Sequence, residues 1–301
     1  MKNEFIALII LFLLVSCQSR QQVTENISTI DSILQVNVTS LLENKLSELD
    51  ALSGQAIVME VQSGQIKALV GLTKKDSTNY QSCENFSVWQ STGLMHPISL
   101  LVALETGKVK LSDKVDTGNG IYQIHGRELK DHNWHRGGYG KITVEQGFGL
   151  ASNIANYKAV RKAFDNEQAF AEVLAKYGYQ VKDTSLVYNS LGYGILTTPL
   201  QNLTFFNYIA KSKTAIKEAL EYSVSNGLAK PTQSDKVKVA GATGTIQLSN
   251  GEYAVEFCGY FPADNPKYSI IVSINKKGLP ASGGLMAGDV FRQIVVIMDE
   301  R

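Results

Sequence analysis

The stretch most relevant to chemistry spans residues 89–107 and reads WQSTGLMHPISLLVALETG. From Pro97 onward its apolar residues predict a strongly buried helix, whose first turn is residues 93–96. Several hydrolases carry a nucleophile at the open first turn of such a helix. The first position of this turn is Gly93, which has no side chain and therefore can form no acyl intermediate. What the protein does therefore depends on whether another nucleophile is available.

Three histidines, His125, His132 and His135, form a second group with chemical potential. They lie within residues 108–142, a segment rich in Gly, Asp and Tyr that predicts loops and short hairpins on the surface. The spacing of His132 and His135 could hold a metal ion. Surface hairpins with a few histidines are common without one, so we expect no metal and no cofactor.

The elements that would position these residues follow from the hydrophobic pattern. An amphipathic helix is predicted over 27–49, and the apolar runs 55–61 and 65–72, joined by Gln-Ser-Gly, predict a hairpin. Further helices are expected over 143–148, 154–164, 167–177, 199–210, 214–226 and 285–298. Further strands are expected over 237–248, 253–260 and 268–275. Together these elements describe one interrupted domain in which helices lie on an antiparallel sheet.

Length, charge and cysteine content limit the classes of function. With 301 residues the chain can bury a sizeable core in one large domain. It has 29 Lys and Arg against 28 Asp and Glu. A net charge of +1 predicts no overall electrostatic attraction to nucleic acid. In an exported protein Cys83 and Cys258 could pair. Cys258 lies in an apolar strand, however, which favours a buried free thiol.

The N-terminus has the pattern of an export signal. Lys2 precedes an apolar run, residues 5–15, which is too short to span a membrane comfortably. The run ends in Leu-Val-Ser-Cys, which resembles the lipobox of bacterial lipoproteins, so Cys17 would be lipidated. We therefore expect a signal peptide over 1–17, a polar tether over 18–29 and a domain over 30–301. The protein would be anchored by its lipid and face the periplasm, with the outer membrane favoured over the inner one.

Short segments along the chain match one protein family in order. They are IVMEV at 57–61, LLVALETG at 100–107, GYGKIT at 138–143, SNIA at 152–155, TPLQ at 198–201, VAG and TGT within 239–245, and GYFP at 259–262. These segments resemble the transpeptidase domain of penicillin-binding proteins, which serine β-lactamases share, and especially the class B enzymes that cross-link peptidoglycan. The resemblance covers about residues 30–300. It implies an α/β DD-peptidase fold, with an antiparallel sheet of about five strands, helices on both faces and an all-helical subdomain.

The chemistry of that family uses three motifs around one cleft: Ser-x-x-Lys at a helix start, Ser-x-Asn on a loop and Lys-Thr-Gly on a strand. By resemblance these motifs fall on residues 93–96, 151–153 and 242–244. The substituted positions are Gly93 and His96 for the serine and lysine of the first motif, Ala151 for the first serine of the second, and Ala242 for the lysine of the third. The retained positions, which would contact a ligand, are Asn153, Thr243 and Gly244, with Thr245 beside them.

Three functional interpretations follow from this pattern. The first is a catalytically inactive lipoprotein that binds a peptidoglycan stem peptide or a cell-wall synthesis protein. The second is residual transpeptidase, carboxypeptidase or β-lactam-binding activity through Ser91 or Thr92, although Leu94 would then stand where a base is needed. The third is a pure protein-interaction module. Residues 273–276 also spell Ser-x-x-Lys, but they lie in a predicted strand, where positions i and i+3 point to opposite faces.

Overall fold

The computed structural model describes residues 29–87, 90, 92–182 and 185–300. The expected signal peptide with Cys17 and nearly all of the expected tether lie outside the described residues, as do Trp89 and Ser91. None of the described helices combines the length and the apolar character needed to cross a membrane.

The helices follow the predicted order, with one addition. They are α1 (Ser32–Glu48), α2 (Met95–Glu105), α3 (Val144–Gly149), α4 (Asn153–Ala163), α5 (Glu167–Lys176), α6 (Leu186–Leu191), α7 (Pro199–Lys211), α8 (Ile216–Asn226) and α9 (Ala287–Asp299). Helix α6 was not predicted, because its six residues are too few to show helical periodicity and, unlike the equally short α3, it is not introduced by a capping box. Helix α1 begins later than predicted, because the side chain of Asp31 accepts the Leu34 amide and caps the helix there.

The strands form one main sheet and three small ribbons. They are β1 (Ser53–Glu60), β2 (Ile66–Lys74), β3 (Tyr80–Ser82), β4 (Lys114–Asp116), β5 (Ile121–Ile124), β6 (Arg127–Lys130), β7 (Lys141–Thr143), β8 (Gln180–Val181), β9 (Ile195–Leu196), β10 (Ala240–Gln247), β11 (Glu252–Phe261) and β12 (Tyr268–Lys277). The main sheet has six strands in the order β10-β11-β12-β1-β2-β3, all antiparallel. Five of them were predicted. The sixth, β3, has three residues, which is too short for an alternating pattern to reveal.

The two faces of the sheet are covered by different sets of helices, as the resemblance implied. Alternate residues of β1 point to opposite sides. Ala56 and Val58 pack into the cluster that includes Leu42 of α1 and Phe291 of α9. Ile57 packs into the other cluster, which contains α2, α7 and the helical subdomain. The expected α/β fold is therefore confirmed.

Helix α2 is the buried centre of the molecule. Eight of its 11 residues are buried, and it packs against α4, α6 and α8. Its first turn lies beside β10, which forms an edge of the main sheet. Residues 108–142, predicted as loops and short hairpins, contain the ribbon β5–β6 and the two strands of the ribbon formed by β4 and β7. This segment extends one wall of the cleft that opens at the start of α2.

Candidate functional site

One cleft brings together residues from all three motif regions. It has a volume of about 620 Å³, and its lining includes Gly93 and His96 from α2, Ala151 and Asn153 from the turn before α4, and Thr243 and Thr245 from β10. Two of the expected site residues, Ala242 and Gly244, do not line it. Ala242 is buried in the core, and the backbone of Gly244 packs against that of Gly93. Most of the expected residues therefore line one cleft.

The floor of the cleft is a direct contact between two glycines. A Cβ atom on Gly93 would lie 2.3 Å from the amide nitrogen of Thr245 and 2.6 Å from the carbonyl carbon of Gly244. A Cβ atom on Gly244 would lie 2.6 Å from the carbonyl carbon of Gly93. All of these neighbours are backbone atoms, which cannot rotate away as a flexible side chain can. The approach of β10 to α2 therefore requires glycine on both sides.

A buried carboxylate, Glu256, holds the start of α2 in this position. Glu256 lies on β11 opposite Gly244 and is only 1% exposed. Its Oε2 atom accepts hydrogen bonds from the hydroxyl of Thr92, at 2.9 Å, and from the amide of Gly93, at 2.8 Å. Burial raises the pKa of this carboxyl, and the hydrogen bonds that it accepts lower it by less. The sequence signal for this residue is a lone acid inside the apolar run Ala254–Tyr260, and it was not recognised.

Thr92, one of the two suggested nucleophiles, is part of the same hydrogen-bond network. Its side chain is fully buried. Its hydroxyl donates to Glu256 and accepts from the amide of Leu94 at 3.0 Å and from the side-chain amide of Asn202 at 3.2 Å. The hydroxyl thus stabilises the start of the helix and does not face the cleft. Ser91, the other suggested nucleophile, lies outside the described residues.

His96 occupies the lysine position of the first motif without carrying its charge. Its ring is partly exposed on the cleft wall. Burial lowers the pKa of His96 to about 4, although a hydrogen bond with the side chain of Asn153 acts in the opposite direction. The imidazole is therefore neutral at physiological pH. It could accept a proton, but the neighbouring first position of the motif, Gly93, has no group to activate.

The second motif region is held together by another buried acid, Asp131. Both of its carboxylate oxygens accept from the hydroxyl of Ser152, at 3.0 and 2.9 Å, and one accepts the amide of Ile154 at 3.0 Å. Ser152 is itself buried, so its hydroxyl serves the start of α4 and not a substrate. The side-chain amide of Asn153 donates to the carbonyl of Lys130 at 2.8 Å. Asn153 thereby links the β5–β6 ribbon to His96 across the cleft wall.

Three of the remaining candidates, His132, Ser273 and Lys276, contact other groups of the protein. The ring nitrogen Nε2 of His132 lies 2.9 Å from the hydroxyl of Tyr139. The part of the chain that the structure describes contains no group of three or more His, Cys, Asp or Glu side chains placed to hold a metal ion. Ser273 points to Glu256, at 3.4 Å, whereas Lys276 donates to three carbonyls of the loop 277–280. The expectation that this Ser-x-x-Lys string has no common face is confirmed.

Both described cysteines are free thiols. Cys258 is completely buried in β11, and Cys83 is half-buried next to β3. The expectation of a buried free thiol at Cys258 is confirmed.

Comparison with known proteins gives a consistent result. The family model described as the penicillin binding protein transpeptidase domain matches residues 54–296. Stage V sporulation protein D of Bacillus subtilis is 24% identical over 89% of this chain and 52% of its own length. The chain therefore spans about half the length of this curated relative.

Two solved structures share the fold. A crystal structure titled as a peptidoglycan glycosyltransferase from Burkholderia ambifaria has a TM-score of 0.76 at 20% identity, over 90% of this chain and 96% of that one. The transpeptidase domain of penicillin-binding protein 3 from Burkholderia pseudomallei also has a TM-score of 0.76, at 21% identity, over 90% of this chain and 94% of that one.

Proposed function

Because the chain belongs to the penicillin-binding-protein transpeptidase family, we propose that it is a catalytically inactive member that acts in cell-wall synthesis by binding. The retained cleft would bind a peptidoglycan stem peptide, or the surface around it would bind a cell-wall synthesis protein. The observation that carries this proposal is the contact between Gly93 and the backbone of Gly244 and Thr245. Gly93 stands where the family carries its nucleophile and has no side chain. The backbone contact leaves no room for a side chain at that position.

The substitutions remove several functions at once, which supports loss of catalysis over a shift of mechanism. Gly93 replaces the attacking serine of the first motif. The neutral His96 replaces the lysine of that motif, and Ala242 replaces the lysine of the third motif. In serine hydrolases, loss of catalytic groups leaves residual rates on the order of 10³-fold over water, which come from the oxyanion hole and from binding. A protein with these substitutions would retain recognition and lose turnover.

A membrane anchor is part of the proposal. The lipobox-like sequence that ends at Cys17 supports lipidation, and residues 18–29 would connect the anchor to the folded domain. The domain would then stand on the periplasmic side of a membrane, with the outer membrane favoured. Metabolic labelling with an alkyne fatty acid, compared between the natural chain and Cys17→Ala, tests this part. Equal labelling of both would contradict it.

Covalent labelling with a fluorescent penicillin tests catalytic loss. We expect no adduct that survives denaturation, while an active transpeptidase labelled in parallel gives one. Intact-protein mass spectrometry checks for slow acylation, repeated on Ser91→Ala and Thr92→Ala if a mass shift is found. A stable adduct on the natural chain would overturn the proposal and establish residual enzymatic activity.

Two binding assays separate the proposed partners. Co-sedimentation with purified sacculi reports binding of peptidoglycan, and pull-down from envelope extract reports a protein partner. Sedimentation that is lost on blocking the cleft supports the stem-peptide form of the proposal. Retention of a cell-wall synthesis protein without sedimentation supports the protein-partner form, whereas failure of both assays would contradict the proposal.

A further inference from the structure

The cleft has no charged side chain on its wall. The described residues that line it include no Asp, Glu, Lys or Arg. The lining does include two histidines, His96, whose pKa is lowered by burial to about 4, and His132, whose pKa is also lowered by burial. Both are therefore neutral at physiological pH, and a ligand meets an electrically neutral surface. A ligand carboxylate placed there would lose its hydration without gaining a cationic partner.

Two backbone amides at the floor of the cleft are unavailable to an anion. A helix N-terminus binds anions through amide groups that have no partner within the helix. At the start of α2, the amide of Gly93 donates to Glu256 and the amide of Leu94 donates to the hydroxyl of Thr92. These donors are occupied, and the acceptor behind Gly93 is itself a carboxylate. An anionic group would therefore be disfavoured at the deepest point of the cleft.

The rim of the cleft, in contrast, exposes large apolar side chains. Tyr193 is 53% exposed, Leu228 41% and Leu285 64%, and all three line the cleft. They come from three separate segments, which follow α6, follow α8 and precede α9. Isolated exposed apolar residues are ordinary, but a convergent group around one concave site is typical of a binding surface.

The shape of one wall favours an extended polypeptide. Among the described strands, β10 is at the edge of the sheet and pairs only with β11. The amide of Leu248, just beyond β10, donates to the carbonyl of Glu252, and such bonds alternate along an antiparallel pair. The main-chain groups of Thr243 and Thr245, which line the cleft, therefore point away from β11, although the amide of Thr245 is covered by Gly93. An extended segment could add to this edge by main-chain hydrogen bonds, with its side chains against the apolar rim.

The cationic side chains that line an adjoining cavity already have partners. A cavity of about 540 Å³ shares Asn153 with the cleft and is lined by Arg127 and Lys130. Arg127 donates to the hydroxyl of Tyr188 at 2.7 Å. Lys130 forms an ion pair with Glu128 at 2.7 Å. Neither cation lines the cleft itself.

From these observations we propose that the cleft selects an uncharged, extended polypeptide segment with bulky apolar side chains, and discriminates against a segment that ends in a carboxylate. This selectivity rests on the proposed function, binding without acyl transfer, and favours its protein-partner form over its stem-peptide form, because stem peptides carry free carboxylates. The occupant would be an internal or capped stretch of peptide.

Isothermal titration calorimetry with a matched pair of peptides tests the proposal. Both peptides have the sequence acetyl-Thr-Leu-Thr-Val, one with a C-terminal amide and the other with a free carboxylate. We expect the amide to bind more tightly by on the order of tenfold, which corresponds to about 1.4 kcal/mol. Equal or tighter binding of the carboxylate form, or no binding of either peptide at millimolar concentration, would overturn the proposal.

Three variants assign the binding to the cleft. Leu285→Ser should weaken binding of the amide peptide several-fold. Its matched control is Leu279→Ser, a residue of the neighbouring loop that is 73% exposed and does not line the cleft, and it should leave binding unchanged. His96→Lys should shift the preference towards the carboxylate. Equal effects of the two leucine variants, or an unchanged preference in His96→Lys, would count against the proposal.

The outcomes also separate this proposal from the proposed function. A stable penicillin adduct would overturn the proposed function whichever peptide binds. A preference for the carboxylate without any adduct would overturn only the proposed selectivity.

Discussion

Restoring the serine at position 93 should not restore the enzyme, and it should destabilise the fold. Ordinary van der Waals contacts of a Cβ atom begin at about 3.4 Å, whereas a Cβ on residue 93 would lie 2.3 Å from the amide nitrogen of Thr245. Strand β10 and helix α2 would have to separate locally by about 1 Å, which is the difference between these two distances. That movement would also stretch the hydrogen bond from Gly93 to Glu256, now 2.8 Å.

The cost of Gly93→Ser can be estimated from these contacts. Forcing extra atoms into a packed interior typically costs about 1–3 kcal/mol. For a domain of this size, each kcal/mol lowers the melting temperature by roughly 2–4 °C. We therefore expect the melting temperature of Gly93→Ser to fall by roughly 2–12 °C in a thermal scan followed by circular dichroism. Gly93→Ala is the matched control, because it adds the same Cβ atom without a hydroxyl. Its melting temperature should fall by a similar amount.

The same variant tests the chemistry. Gly93→Ser combined with His96→Lys restores both residue types of the first family motif, yet we expect no penicillin adduct. The strand contact displaces the new hydroxyl, and Ala242 still lacks its charge. A Gly93→Ser protein as stable as the natural one would refute the steric reasoning. An adduct on the double variant would refute the view that the backbone, as well as the missing side chains, prevents catalysis.

Three further predictions concern the polar groups around the cleft. Because burial raises the pKa of Glu256 in the folded state, its contribution to stability is complete below the unfolded pKa of about 4.3 and is lost as the pH rises through the folded value. The free energy of unfolding, measured in urea across this range, should therefore decline with rising pH in the natural chain but not in Glu256→Gln. Identical pH profiles of the two proteins would contradict this. Asp131→Ala leaves the hydroxyl of Ser152 and the amide of Ile154 without their buried acceptor, so it should cost about 2–6 kcal/mol in the same assay; a loss below 1 kcal/mol would contradict it. His96 should titrate with a pKa of about 4 in an NMR experiment, and Asn153→Ala should lower that pKa further, whereas a value near 6.5 would contradict the desolvation of the ring by its surroundings.

Most of the secondary structure could be predicted from the sequence, because long periodic segments carry their own signal. Helix α2 and strands β1, β11 and β12 have apolar runs that are buried over most of their length, so their patterns were clear. The elements that were missed, β3 and α6, have three and six residues and depend on contacts with the rest of the fold. Helix α1 was predicted to start too early because its cap, Asp31, interrupts a pattern that looks continuous.

The candidate site was predicted in part. The positions of Gly93, His96, Ala151 and Asn153 on one cleft follow from the family motifs, which keep their order along the chain. Glu256 was missed because it lies 163 residues from the amide that it accepts, and no local pattern links the two.

By itself, the sequence determined which chemical groups are present at the start of α2: glycine where a nucleophile would stand, and histidine one turn later. Covalent structure alone excludes an acyl intermediate on a residue without a side chain. Only the tertiary structure decided that this glycine is also required for packing, since its Cα lies against the backbone of β10. It also decided that the nearby hydroxyl of Thr92 and the amides of Gly93 and Leu94, just before the helix, already have partners. Close packing and hydrogen bonding between distant segments depend on three-dimensional distances, and these are set by the whole fold.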